Sequence, residues 1–280
     1  MGGAMLDSNC FAICNELFEG WAFTRVCQFA AEVGYGAVEL APFTVADDIR
    51  DLSLADRSRL RMDADRAGVS IVGLHWLLVK PAGMRLISTD AAEREFASRY
   101  LADLARLCGD LGGKVIILGS PKQRQRPPGV SYDQAVQWLR STLEPAAAAA
   151  TSQGVTLCLE PLPAEDTNFL NTLQEVAAIV RAIDHPAIRL ILDVKSMGAE
   201  NRPVPELVRT YGGLAAHFHA NDTNRRGPGD GDTDYTPIFT ALSEIGYKGA
   251  ISVEVFDYTP DPETIARRSL TYMKQIIGSG

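Results

Sequence analysis

Eight short apolar runs recur along this chain, each followed by a longer stretch of helical periodicity, and this alternation limits the fold more than any other feature. The runs are Phe11–Cys14, Ala37–Leu40, Ser70–Leu74, Lys114–Leu118, Val155–Leu159, Arg189–Leu192, Ala215–His219 and Ala250–Val253. The helical stretches are Phe23–Val33, Asp56–Ala67, Ala91–Leu111, Tyr132–Ser152, Leu173–Ile183, Pro205–Tyr211, Pro237–Ile245 and Glu263–Ile277. Strands without a polar face are buried on both sides, as parallel strands covered by crossover helices are. Eight units of roughly 35 residues predict one α/β domain, a (β/α)8 TIM barrel spanning residues 1–280. An open doubly wound sheet needs a glycine-rich turn after its first strand, and Cys14-Asn15-Glu16-Leu17 offers none. Met1–Ala4 precede a second methionine, Met5, and are read as an expression remnant outside the fold.

Charge narrows the function classes. Lys and Arg total 27 against 35 Asp and Glu, a formal charge of −8, which argues against a nucleic-acid partner. No run approaches the length needed to span a bilayer, and no basic leader with an apolar core opens the chain. The five cysteines, Cys10, Cys14, Cys27, Cys108 and Cys158, are odd in number and lack C-x-x-C spacing. They read as core residues of a cytoplasmic protein rather than a disulfide framework or zinc ribbon.

The ends of the last four runs carry the chemistry. Glu160, Asp193, His219 and Glu254 each close a strand, and C-terminal strand ends of a barrel converge on one mouth. Three carboxylates meeting there repel one another unless a cation neutralises them. Three oxygens and one imidazole suit Mn2+, Mg2+ or Co2+, and leave coordination positions for a substrate.

These residues resemble a known family. Leu159–Leu162 (LEPL), Leu192-Asp193, His217-Phe218-His219 and Val253–Phe256 (VEVF) are similar to the xylose-isomerase-like barrels, and closest in motif to the ketose 3-epimerases. The resemblance runs along nearly the whole chain in strand order. It is most specific over Glu160–Thr172 and His217–Asp234, where Glu160 is followed by Asp166 and TNFLNT, and His219 by Asn224-Arg225-Arg226. It implies a sugar substrate, a divalent metal on Glu160, Asp193, His219 and Glu254, and a homodimer or homotetramer. It also implies that Glu160 and Glu254 move the proton, that Arg225 orients hydroxyls, and that Asp166 contacts substrate. The chain departs from the family at Ser196, where the epimerases place a substrate-binding histidine, and Asp166 is one methylene shorter than the family's glutamate.

The mechanism these residues suggest starts with removal of a proton next to a carbonyl. A divalent cation lowers the cost of the resulting enediolate, and two carboxylates allow removal on one face and return on the other. Ketose 3-epimerisation is the leading reading. Hydroxypyruvate or aldose–ketose isomerisation, dehydration of an inosose and β-elimination from a 3-keto glycoside share the first step. Among other classes, an apurinic endonuclease is disfavoured by four histidines and the negative charge. A sugar-binding barrel without catalysis is the non-enzyme alternative. His75, Glu39 and Ser196 complete the expected substrate contacts, with Glu39 also a support for His75 or the metal ligands. His217 reads as a support beneath His219, Trp76 and Phe256 as either an apolar wall or core, Lys122 and Arg124 as a solvated loop, and His185 as surface.

Overall fold

The computed structural model describes residues 11–278; Met1–Ala4 and Cys10 lie outside the described residues. Eight parallel strands close into a barrel in sequence order. They are β1 (Phe11–Cys14), β2 (Ala37–Leu40), β3 (Ser70–Leu74), β4 (Val115–Leu118), β5 (Thr156–Leu159), β6 (Ile188–Asp193), β7 (Ala215–Ala220) and β8 (Ile251–Val253). Closure is made by β8 pairing with β1, with Ile251 beside Phe11.

The helices are α1 (Phe23–Val33), α2 (Leu54–Ala67), α3 (Ala91–Asp110), α4 (Pro121–Arg124), α5 (Tyr132–Gln153), α6 (Leu173–Ile183), α7 (Val194–Gly198), α8 (Val204–Tyr211), α9 (Tyr235–Glu244) and α10 (Pro262–Gly278). Gly34, Gly68 and Gly154 end α1, α2 and α5 in the left-handed conformation that a side chain disfavours. α2 starts two residues before the expected Asp56, because Ser53 and Asp56 form a capping box. Two short helices were not expected. α4 holds Lys122 and Arg124, which were expected in a solvated loop, and α7 follows β6 without a break. Asp193 caps α7 by accepting the backbone N–H of Ser196, so one carboxylate both ends the strand and starts the helix.

The apolar core has two parts. A large one lies between the strands and the helix ring; a small one, built from Val115, Ile117, Cys158 and Ile191, forms a second cluster among the strands. Two positions beyond Cys158 and Ile191, on the same strand faces, come Glu160 and Asp193, so the polar mouth stands on an apolar floor. A register shift in β6 sets the neighbours. Leu190 pairs with Ala215, but Ile191 pairs with His217, which brings Asp193 level with His219 rather than Phe218.

Candidate active site and metal centre

Glu160, Asp193, His219 and Glu254 come together as the strand ends predict. One ligand atom from each lies within 4.8 Å of all the others, and all four side chains are buried. Neighbouring residues hold each one in place. Asp193 accepts the Ser196 N–H through Oδ1 and the Asn221 side-chain amide through Oδ2, both at 2.7 Å. His219 Nε2 lies 3.2 Å from Glu39 Oε1, which leaves Nδ1 facing Glu254 Oε2 at 3.0 Å. Glu254 Oε1 accepts the Trp76 indole N–H at 2.9 Å and sits 3.5 Å from His75 Nδ1. Behind Glu160, Gly119 is required: a Cβ there would run into the Glu160 carboxylate.

The electrostatics describe a site in need of positive charge. Burial, then the charges of Glu254 and Asp193, push the Glu160 carboxyl up to about 8. Burial and Glu254 also raise Asp193. Burial works against ionisation of Glu254, but His219 and His75 outweigh it and hold that carboxyl well below its usual range. His219 Nδ1 and Glu254 Oε2 are buried and make no well-directed hydrogen bond. Orphaned donors of this kind, three carboxylates and one imidazole within ion-sharing distance, fit a hard divalent cation. Glu39 on the far ring nitrogen of His219 is the arrangement that orients a metal-binding histidine.

The other expected contacts divide into two groups. His75 and Glu39 are both buried and paired with other protein side chains. His75 Nε2 lies 2.9 Å from Glu16 Oε2, and its other nitrogen faces Glu254. The two oxygens of Glu39 are taken by His219 and by His217, whose Nε2 lies 2.7 Å away. Glu39 thus supports the metal-ligand candidates rather than His75. Burial opposes its charge, yet His217 and His219 hold it well below the usual carboxylate range. Ser196 is buried in α7 with an unpartnered hydroxyl.

Asp166 and Arg225 remain near the mouth. Asp166 is half-buried and paired with Lys195 at 2.8 Å. Arg225 is exposed, with its guanidinium 5.6 Å from the centre of the Phe256 ring. Its left-handed backbone, φ 72°, is pinned by its carbonyl, which accepts the N–H groups of Phe256 and Asp257. Trp76, 37% exposed and left-handed at φ 51°, belongs to a wall with Phe43 and Phe256 rather than to the core.

Three participants were not singled out as site residues from the sequence: Glu16, Lys195 and Asn221. The first lies in a turn after β1, and the other two owe their positions to Asp193. Arg124 corrects an expectation. It is buried rather than solvated and donates to the Glu160 backbone carbonyl at 2.6 Å. Lys122 is exposed as expected, although it lies in α4 rather than in a loop.

The closed parallel barrel gathers at its mouth three carboxylates and an imidazole that could hold a metal ion. The chain belongs to the xylose isomerase-like TIM barrel family, whose model matches residues 27–276. Among curated proteins it is 28% identical over 229 residues to a D-psicose 3-epimerase of Agrobacterium fabrum, covering 81% of this chain and 76% of that one. It is 29% identical over 248 residues to an L-ribulose 3-epimerase of Mesorhizobium japonicum, covering 85% and 77%. Among solved structures, a D-psicose 3-epimerase determined in the presence of D-fructose superposes with a TM-score of 0.82 at 23% identity, over 96% of this chain and 99% of that one. A 3-keto-D-glucoside 4-epimerase from E. coli gives the same score at 18% identity, over 95% and 99%. At these identities the structural likeness speaks for the fold alone.

Proposed function

We propose that this protein is a divalent-metal-dependent sugar epimerase acting on ketoses at C3. The observation that carries the reading is the pair Glu160 and Glu254. Two carboxylates, from β5 and β8, flank a cluster completed by Asp193 and His219 between them. The named activities of the two curated epimerases point the same way.

A bound cation supplies the positive charge that lowers the cost of an enediolate. This chain's residues do the rest. Of Glu160 and Glu254, the one that is ionised takes the C3 proton on one face and the other, protonated, gives one on the opposite face; exchange of protons with solvent resets the pair. Trp76 and His75 hold Glu254 through Oε1, which fixes the direction of its second oxygen beside His219 Nδ1. Glu39 fixes the ring of His219, and Ser196 and Asn221 fix Asp193. Phe43, Trp76 and Phe256 cover the carbon face of the sugar and keep water from the intermediate. Asp166 and Arg225 meet hydroxyls further along the chain.

Manganese is the preferred ion within this reading, with magnesium and cobalt next, because the donors are mostly oxygen. The protein is read as a cytoplasmic homo-oligomer. The four described cysteines, all buried and unbridged, support a reducing compartment, and light scattering measures the assembly. The test of the activity is direct. Metal-stripped protein, given Mn2+ and a panel of ketoses, is expected to convert a ketose into its C3 epimer, followed by NMR. An aldose product would make it an isomerase, and loss of water a lyase.

A further inference from the structure

A second polar cluster stands on the other side of Glu254. Glu16 lies two residues past β1, His75 one past β3 and Glu254 one past β8. One ligand atom from each lies within 4.8 Å of the other two. Only 4% of Glu16, 1% of His75 and 4% of Glu254 is exposed. His75 Nε2 is 2.9 Å from Glu16 Oε2, and its Nδ1 is 3.5 Å from Glu254 Oε1. Close as these atoms are, both oxygens of Glu16 and both nitrogens of His75 are buried without a well-directed hydrogen bond. Buried polar atoms in that state cost free energy unless a further group meets them. The ion pair with His75 engages one Glu16 oxygen and leaves the other unmet.

Glu254 links this cluster to the first. Its Oε1 faces His75, while its Oε2 faces His219 Nδ1 at 3.0 Å. The two imidazole rings stand 6.0 Å apart, edge to face. Glu16, Glu160, Asp193 and Glu254 are thus four buried carboxylates around two imidazoles, and one divalent cation balances the charge of only two of them.

We infer that Glu16, His75 and Glu254 form a second divalent-cation site, which shares Glu254 with the first. The inference rests on the metal centre of the proposed function and extends it to two ions bridged by one carboxylate. Two oxygens and one nitrogen suit Mn2+, Co2+ or Zn2+ better than Mg2+, and three protein ligands leave positions for water or substrate. Ions held on the two oxygens of one carboxylate lie roughly 3.5–4 Å apart in two-metal sites. Binding costs a proton. Burial lowers the His75 imidazole, but Glu16 and then Glu254 outweigh it and push it up to about 10, so a cation has to displace that proton.

The test uses no substrate, so its outcome does not depend on whether a ketose is turned over. Metal-stripped protein is dialysed against Mn2+ at about pH 8, and bound metal is counted in the wild type, Glu16→Gln, Glu16→Ser and Asp193→Asn. The thermal midpoint of each serves as the control for folding. The wild type is expected to hold two ions per chain. Both Glu16 variants are expected to keep the first ion and to bind the second at least about tenfold more weakly. Electron paramagnetic resonance reads the sharing: the signal of the first Mn2+ is expected to broaden and lose amplitude as the second site fills, because one carboxylate couples the two spins. A second ion that survives both Glu16 variants, or that leaves the first signal unchanged, is bound elsewhere and overturns the site. A single ion in the wild type, kept in the Glu16 variants and lost in Asp193→Asn, overturns the second site and leaves the first standing. A single ion lost in the Glu16 variants but kept in Asp193→Asn supports a cation at Glu16 and His75 and refutes the first site. No bound Mn2+ refutes both.

Discussion

Glu160 sits where water cannot stabilise its charge, beside two more carboxylates, and its carboxyl is pushed up to about 8 as a result. Below that pH the metal-free site holds a proton on Glu160, and a cation has to displace it. Against burial, Glu254 and Glu39 also hold the His219 imidazole well above its ordinary range, so it too must give up a proton. Affinity for Mn2+ is therefore expected to rise by at least about tenfold per pH unit between pH 6 and pH 8, and calorimetry in two buffers should detect the released protons. A flat affinity across that window would contradict this account of the cluster. Glu160→Gln and Glu254→Gln keep size and polarity but remove the proton acceptor. Each is expected to lower kcat by a factor on the order of 10²–10⁴, with a smaller change in KM, in steady-state assays on a ketose. Glu39→Gln acts one step away. It leaves the His219 ring without its carboxylate partner, and metal affinity is expected to fall by about 10–100-fold.

Elements deliver these residues through backbone features that differ in how well they show in sequence. The strand ends were legible, because an apolar run that stops at Glu160, Asp193, His219 or Glu254 announces both the strand and its polar mouth. The layer beneath was only partly legible. Glu39 was expected to support His75 or the metal ligands, but its pairing with His217 and His219 joins β2 to β7 across the barrel, and no spacing along the chain encodes that contact. Glu16 hides in a short turn, and α7 is too brief to show a helical period, so Lys195 carried no signal. Arg124 misled because QRQRPPG has the composition of a solvated loop, whereas the Pro121–Arg124 turn buries the guanidinium against β5. The close approach of β4 and β5 gives a test. Gly119→Ala places a methyl against the mobile end of Glu160, not against backbone. The variant is expected to fold with little loss in thermal midpoint yet to bind Mn2+ at least about tenfold more weakly, since the carboxylate must turn away. Gly73→Ala would instead meet the Val115 backbone carbonyl. It is expected to destabilise the whole protein by about 2 kcal/mol or more in urea unfolding, with any loss of metal binding following from that.

For the whole molecule, ring closure converts eight local strand–helix units into a single mouth, which is why residues from Glu16 to Glu254 meet. The same closure makes the cluster a term in global stability. With its carboxyl held above the ordinary range, Glu160 favours the metal-free fold while protonated, and that contribution is lost as pH rises through about 8. A cation that binds the folded state offsets the loss, and more strongly at higher pH. The rise in thermal midpoint on adding Mn2+ is thus expected to be larger at pH 8 than at pH 6, and chelation should reverse it at both.

The central claim is that Glu160 and Glu254 exchange a substrate proton at C3. The measurement that tests it most directly is deuterium incorporation from D2O into a ketose by the Mn2+-loaded enzyme, read by NMR carbon by carbon. The account predicts label at C3 of both epimers, and loss of that labelling in Glu160→Gln and Glu254→Gln variants that still bind the metal. Epimers formed without label, label confined to C1, or labelling that survives both substitutions would contradict it.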